Sequence, residues 1–274
     1  MAKSATEPIL ERIREALEVA GTTLATFAGG VVTSSQQSSG RGPVTEADRA
    51  VNRALRETLL REGEGWLSEE SPDGLERLEK TRLWIVDPID GTMECIAGVP
   101  EWCVSIGWVE HGRAMAGGIY NPVTRELFLG SLASGVTRNG LPARARVRTS
   151  LAGAVVLASR SEVKRGEWDA FQNAAFVVRP TGSVAYKLAL VSVGLADATW
   201  TLSPKNEWDI AAGVALVEAA GGFVQRPGGS PITFNHRSTL LAGLVAGGPG
   251  LEKEIVGLLR RHRAGAPLHK PAFC

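Results

Sequence analysis

Trp84-Ile85-Val86-Asp87-Pro88-Ile89-Asp90-Gly91-Thr92 is the stretch on which the reading of this chain turns. An apolar strand, Leu83 to Val86, runs into two carboxylates separated by Pro88 and Ile89. Pro88 lacks an N–H and fixes φ, so it forbids a normal continuation of the ladder. The chain is expected to leave the sheet there with Asp87 and Asp90 still close together. Adjacent carboxylates repel unless a proton or a cation neutralises them. Asp, Asp and an exposed carbonyl form an all-oxygen set, which suits hard Mg²⁺. Gly91 and Thr92 suit a tight turn into a helix, and free N–H groups there would suit a phosphate. A helix cap and a turn would explain the same residues. What lifts the run above that reading is the company it keeps elsewhere.

The chain has 274 residues, 44% hydrophobic and 22% charged, enough for a large core and one or two domains. A net charge of +1 indicates no broad polyanion-binding surface, so a nucleic-acid polymer is not an expected partner. Cys95, Cys103 and Cys274 stand at unrelated spacings and make neither a disulfide framework nor a zinc site. Reduced thiols in the cytoplasm are the simple reading. Charged residues from Glu7 to Glu18 interrupt the N-terminal segment, which reads as neither signal peptide nor membrane span.

Ile9, Leu10, Ile13, Leu17, Ala20, Leu24 and Phe27 recur at helical spacing and predict a helix from near Thr6 to the Gly29-Gly30 stop. Thr33 to Gly42 reads as a mobile polar loop. Thr45 and Asp48 form a capping box before the stripe Val51, Leu55, Leu59, so Asp48 taken alone is a cap. Trp66 to Ser71 reads as a short strand ending in Glu69 and Glu70, of which one at most joins a carboxylate cluster. Val104–Val109, Ala114–Tyr120 and Glu126–Leu129 read as hairpin-connected strands. From about residue 146, short strands (Ala154–Ala158, Phe176–Val178, Ala196–Thr201, Leu240–Val245) alternate with helical stretches (Trp168–Ala174, Ser183–Val193, Asp209–Ala220, Leu251–His262). The expectation is an α+β N-terminal half (1–145) with a mainly antiparallel sheet and a smaller α/β C-terminal half (146–274). Pro267 to Cys274 reads as a loose tail.

Asp87-Pro88-Ile89-Asp90-Gly91-Thr92 together with Trp208-Asp209 before Ala-Ala-Gly and the ending Glu218 to Gly222 resembles the inositol monophosphatase superfamily. Val44 to Asp48 and Glu69-Glu70-Ser71 match that family's other metal-site motifs. Each motif is weak alone, and four in order cover most of the chain. The resemblance implies a layered αβαβα sandwich and a Mg²⁺-dependent, lithium-sensitive phosphomonoesterase with a small phosphorylated metabolite as substrate, and usually a homodimer. Pro43-Val44-Thr45, Leu67 to Glu70, Ala158 to Ser161, Gly182-Ser183 with Lys187, Asn206, and Met93-Glu94-Cys95 are similar to the 3′(2′),5′-bisphosphate nucleotidase branch. Ile119 to Val123 is equally at home in the inositol branch.

By resemblance, Glu69, Asp87, Ile89 (through its carbonyl), Asp90 and Asp209 hold two Mg²⁺ ions, with a third ion in some members. Thr92, with Asp48 or Glu69, orients and deprotonates a water, and the N–H groups of Gly91 and Thr92 hold the phosphate. Gly182, Ser183, Lys187 and Arg160 are the candidate specificity residues: the two cations for a second phosphate, the serine for a hydroxyl. Solvated surface charge is the ordinary alternative for Lys187 and Arg160, and core packing for Trp200 and Trp208. One departure stands out: Gln36 to Gly42 lacks the Lys and Asp that the family carries near its third metal. Fructose 1,6-bisphosphate is a further candidate substrate, and a weakly active, metal-binding regulatory homologue is the alternative of another class.

Overall fold

The structure, a computed structural model, describes residues 7–27, 34–36 and 43–263. Helix α1 (Glu7–Ala25) buries Ile13, Leu17, Ala20 and Leu24 of the stripe its spacing predicts, together with Ala16, while Ile9 and Leu10 are partly buried. Part of the segment read as a loop is strand: β1 (Ser34–Gln36) pairs antiparallel with β2 (Pro43–Thr45), while residues 37–42 lie outside the described residues. The Gly29-Gly30 stop and the tail read at Pro267 to Cys274 also lie outside them. Helix α2 (Glu46–Leu59) starts at Thr45 with the expected capping box.

A sheet of seven strands follows, β3 (Gly65–Ser68), β4 (Arg82–Asp90), β5 (Cys103–Glu110), β6 (Arg113–Asn121), β7 (Glu126–Ser131), β8 (Gly135–Arg138) and β9 (Leu141–Ala143). They pair in chain order, parallel for β3–β4 and antiparallel thereafter. The short α3 (Thr92–Ile96) hangs from the end of β4. Alternation along β4 sorts the two faces. Trp84 and Val86 meet α1 and α2 in one core, while Leu83 and Ile85 meet the next helical layer in another.

The rest of the chain supplies that layer and a second sheet. Its elements are β10 (Val155–Ser159), α4 (Arg160–Lys164), β11 (Val177–Thr181), α5 (Val184–Ser192), β12 (Ala198–Thr201), β13 (Lys205–Asn206), α6 (Glu207–Ala219), β14 (Phe223–Gln225), β15 (Leu240–Leu241), β16 (Leu244–Gly247) and α7 (Glu252–Arg263). The five-stranded sheet runs β11-β10-β12-β16-β14. Helices α5 and α6 lie between the sheets: Leu83 and Ile85 of the first and Leu157 and Ala246 of the second share their core. The outer face of the second sheet packs Val156, Ala198, Trp200 and Val245 against Ile255 and Leu259 of α7. The layers therefore run αβαβα, as the resemblance implies.

Two expectations need correction. The strand read as Leu240–Val245 is two, β15 and β16, which pair in different sheets. The helix read at Trp168–Ala174 is a short 3₁₀ turn, Asp169–Phe171, whose aromatic neighbours serve the outer core.

Why α6 sits where it does is a matter of small residues. A Cβ on Gly107 would come within 2.8 Å of Ala211, and one on Gly117 within 2.5 Å of the Ala212 carbonyl oxygen. On its other side, a Cβ on Gly213 would meet Leu188 of α5 at 2.5 Å. Absent side chains let the helix backbone lie nearly on the sheet. Its N-terminus is thereby fixed beside the end of β4.

Candidate active site

Pro88 does not end β4. Pairing with β5 slips between Asp87, opposite Ser105, and Asp90, opposite Cys103, and then resumes. This bulge absorbs the proline and keeps both carboxylates at the strand's end. The Ile89 N–H turns back to Asp87 Oδ1 at 3.0 Å. The Thr92 hydroxyl donates to the Ile89 carbonyl at 3.1 Å. Gly91 takes φ 97°, a left-handed value that favours glycine, at the turn into α3.

Asp90 anchors the second helical layer. Its Oδ2 accepts the Ser183 hydroxyl at 2.5 Å and the Ala185 N–H at 2.6 Å. Ser183 in turn accepts the Tyr186 N–H at 2.9 Å and so caps α5. At φ 51° Ser183 sits in a sparsely populated conformation, held by these bonds at both ends of its hydroxyl. The proton expected to meet a substrate hydroxyl is thus directed at Asp90.

At the start of α6, Asp209 closes a capping box by accepting the Asn206 N–H at 2.9 Å. The close seating of α6 on β5 and β6 brings that carboxylate to β4. One oxygen from each of Asp87, Asp90 and Asp209 lies within 4.8 Å of the others. Glu69, Ile89, Gly91 and Thr92 join them around a cavity of about 250 Å³.

The charges are mutually hostile. Burial and then the neighbouring Asp209 push the Glu69 carboxyl up to about 8. Burial and then Asp90 push Asp209 up to about 7. Asp87, 1% exposed, is raised well above the usual carboxylate range by burial and then by Glu69; Asp90 is raised too, chiefly by burial. A set of buried oxygens that resists its own ionisation fits a hard divalent cation, which would neutralise it.

Other candidates fall elsewhere. Asp48 does not line the cavity; its Oδ2 takes the Thr45 N–H at 2.8 Å and the Thr45 hydroxyl at 2.6 Å. Its charge still reaches Glu69 and Asp87, raising both. Arg160 forms a two-pronged pair with Glu101, at 2.5 and 2.7 Å, and the Gly182 N–H donates to the same carboxylate at 2.7 Å. Neither Arg160 nor Gly182 lines the cavity. Lys187 is no solvated surface charge: it is 3% exposed and lines the cavity. Trp200 and Trp208 are buried in the cores.

The cavity also holds Glu94, Ser159, Ser161 and Lys205. Sequence reasoning gave none of these four a role of its own. Glu162, buried beside Lys205 with 3.6 Å between Oε1 and Nζ, carried no signal. An acid in the first turn of a helix is commonplace.

The layered fold and its carboxylate-walled cavity define a phosphatase of the class the motifs resemble. Residues 3–264 match the inositol monophosphatase family, and the chain belongs to it. It is 32% identical to an inositol-1-monophosphatase of Mesorhizobium japonicum over 237 residues, 82% of this chain and 86% of that protein. It is 31% identical to the Nus factor SuhB of Pseudomonas aeruginosa over 237 residues, 80% of this chain and 83% of the relative. Among solved structures, an inositol monophosphatase from Anabaena (Nostoc) superposes with a TM-score of 0.77 at 27% identity, covering 97% of this chain and 99% of the other. The family is one of metal-dependent phosphatases that act on small phosphorylated substrates, and the Asp87, Asp90 and Asp209 cluster could hold such a metal. No helix among the described residues is long and apolar enough to cross a membrane.

Proposed function

We propose that this chain is a Mg²⁺-dependent phosphomonoesterase that transfers the phosphoryl group of a small metabolite directly to water. The observation that carries the reading is the convergence of Asp87, Asp90 and Asp209 within 4.8 Å at the cavity. Glu69, Asp87 and the Ile89 carbonyl would hold one ion, and Asp87, Asp90 and Asp209 a second. Bound there, the ions would acidify a water and offset charge on the leaving oxygen.

The chain's own groups do the rest. The backbone N–H groups of Gly91 and Thr92, which line the cavity, would hold the phosphate oxygens as charge gathers on them. Thr92, whose hydroxyl proton goes to the Ile89 carbonyl, orients the attacking water, and the Glu69 carboxylate accepts its proton, with Asp48 behind them tuning Glu69 through its charge.

Two substrates lead within this chemistry. Inositol 1-phosphate follows from the name of the Mesorhizobium relative. Adenosine 3′,5′-bisphosphate follows from the motifs Leu67 to Glu70, Ala158 to Ser161 and Gly182-Ser183 with Lys187. Assembly as a cytoplasmic homodimer is part of the same proposal and is read by light scattering.

The test is phosphate release from inositol 1-phosphate, adenosine 3′,5′-bisphosphate and fructose 1,6-bisphosphate, with Mg²⁺ and with or without Li⁺. Metal-dependent, Li⁺-inhibited release is expected. No release from any of them would leave a metal-binding regulatory homologue as the better reading, in line with the missing Lys and Asp at Gln36 to Gly42.

A further inference from the structure

We propose that Asn52 is a positioning residue for Glu69: from the buried face of α2 its carboxamide fastens the turn that carries Glu69, so that the carboxylate is aimed at the cavity before Mg²⁺ binds. This rests on the phosphatase reading and adds a residue to its machinery.

Glu69 has no ladder to hold it. Strand β3 is an edge of its sheet, and its last pair with β4 is Ser68 with Val86. Glu69 is therefore the first residue past the pairing, in a turn closed by the Ser71 N–H on the Ser68 carbonyl at 3.4 Å. Its carboxylate shares the cavity with Asp87, Asp90 and Asp209, and neighbouring carboxylates repel. A turn free to swing would carry Glu69 outward.

Asn52 removes that freedom. Its Oδ1 accepts the Ser68 hydroxyl at 2.7 Å, and its Nδ2 donates to the Ser71 hydroxyl oxygen at 3.1 Å and to the Glu70 carbonyl at 3.4 Å. These three residues flank Glu69 on both sides. Two more bonds stiffen the turn: the Glu70 N–H donates to Ser68 Oγ at 3.3 Å, and the Trp66 indole N–H donates to Ser71 Oγ at 3.1 Å. One amide thus accepts at one end of the turn and donates at the other, which neither a carboxylate nor an ammonium could do.

The place of Asn52 in its helix fits this role. It stands four residues after Asp48, between Val51 and Leu55 on the buried side of α2, and is 8% exposed. A polar side chain there is costly unless it is hydrogen-bonded. A leucine of similar size would serve the packing alone, so the amide is explained by what it holds. Every hydrogen bond of the Asn52 side chain among the described residues goes to this turn. Asn52 does not itself line the cavity, and being neutral it fixes Glu69 without adding charge to the carboxylate cluster.

The experiment titrates the full chain with Mg²⁺ by calorimetry and compares wild type, Asn52→Leu, Glu69→Ala and the double variant. Asn52→Leu keeps the volume and removes every bond to the turn. It is expected to weaken Mg²⁺ binding about tenfold, the lower end of what loss of an outer partner costs a metal site. In the Glu69→Ala background the ion held by Asp87, Asp90 and Asp209 remains to be read. There the same substitution should change affinity by less than about twofold, because the carboxylate it acts through is gone. In turnover of inositol 1-phosphate, Asn52→Leu should raise the Mg²⁺ concentration needed for half the maximal rate. The kcat at saturating Mg²⁺ should fall far less, since bound ions then hold Glu69 in place. Ser71→Ala cuts one bond to Asn52 and should shift Mg²⁺ affinity the same way by a smaller factor. It covers the case in which melting curves show that Asn52→Leu does not fold.

Unchanged Mg²⁺ affinity in Asn52→Leu, or in Ser71→Ala where only that variant folds, would overturn the proposal. A loss of equal size with and without Glu69 would do the same, by making Asn52 a prop of the fold alone. A wild type that binds Mg²⁺ but releases phosphate from no substrate would defeat the phosphatase reading by itself, and the Mg²⁺ titrations would still decide the role of Asn52. A wild type that binds no Mg²⁺ would defeat both.

Discussion

Helices α2 and α6 begin with the same device and use it differently. Each opens on a capping box with aspartate at the third position, Thr45 with Asp48 in one and Asn206 with Asp209 in the other. Asp48 is 2% exposed and spends Oδ2 on both donors of Thr45. Asp209 makes the corresponding backbone bond, yet a carboxylate oxygen also meets Asp87 and Asp90 at the cavity. The local sequence specifies the cap in both cases. Whether the capping carboxylate also reaches the proposed metal site depends on what the helix packs against, because of these two helices only α6 lies against Gly107 and Gly117 of β5 and β6.

Removing the carboxylate charge should separate the two helices most sharply. Asp209→Asn, like Asp87→Asn, is expected to lose more than about 100-fold in turnover, beyond what loss of an outer-shell partner usually costs a metal site. It should also lose the thermal stabilisation by Mg²⁺, about 2.7 kcal/mol at 100 times Kd. Scanning calorimetry with and without Mg²⁺ checks this. An undiminished Mg²⁺ shift in Asp209→Asn would place the metals elsewhere and make the two caps equivalent.

Next in size is the seat of α6. Gly117→Ala would drive a methyl to within 2.5 Å of the Ala212 carbonyl oxygen, a backbone atom that cannot swing aside. Overpacking of this kind costs roughly 1–3 kcal/mol. The more telling outcome is a weakened Mg²⁺ response, since a displaced α6 carries Asp209 away from β4. A variant that is less stable but binds Mg²⁺ as wild type does would show that helix placement is not what makes Asp209 a ligand.

These contrasts explain how much could be read in advance. Helical and strand periods are local, so α1, α2 and most strands were legible from spacing alone; α6, buried nearly all round, has no such period and was legible from its small residues and the Gly221-Gly222 stop. The chemistry at Asp87, Asp90 and Asp209 was legible because residue types and order repeat a known pattern. Pro88 misled because it breaks a ladder locally, whereas a bulge supported by β5 on one side lets pairing resume at Asp90. Arg160 misled because nothing near it in sequence announces Glu101, 59 residues earlier. Glu162 was invisible for the same reason: its partners Thr201 and Lys205 meet it only through the second sheet and its loop.

A smaller effect belongs to Asp48. Asp48→Ala should destabilise the fold by about 1 kcal/mol through loss of the cap. The loss should be nearly the same with and without Mg²⁺, as read by chemical denaturation, because the Asp48 charge is the smallest of those acting on Glu69 and Asp87. Asp209→Ala in EDTA should cost less, because the lost cap is offset by relief of repulsion among Glu69, Asp87 and Asp90. Equal losses in EDTA would mean that the carboxylates of the cavity do not strain the metal-free fold.

The gentlest test is a pH series on the metal-free protein. Glu69 and Asp209 have folded-state pKa values raised to about 8 and about 7, from ordinary values of 4.5 and 3.8. Between those limits the folded protein binds more protons than the unfolded chain, so stability from these groups falls as pH rises. Melting temperature in EDTA should therefore decline gradually from about pH 5 to pH 8. Below about pH 4.5 the trend should reverse, because Glu64 and Glu126, whose values are lowered, lose their partners on protonation: Arg12 and Trp84 for the first, Tyr186 and Arg138 for the second. Mg²⁺ should flatten the decline, since a cation that binds the ionised cluster stabilises the fold more as pH rises. In Asp209→Asn the slope in EDTA should already be shallower, whereas Asp48→Asn should keep most of it. That difference would carry the distinction between the two caps into the titration of the whole protein.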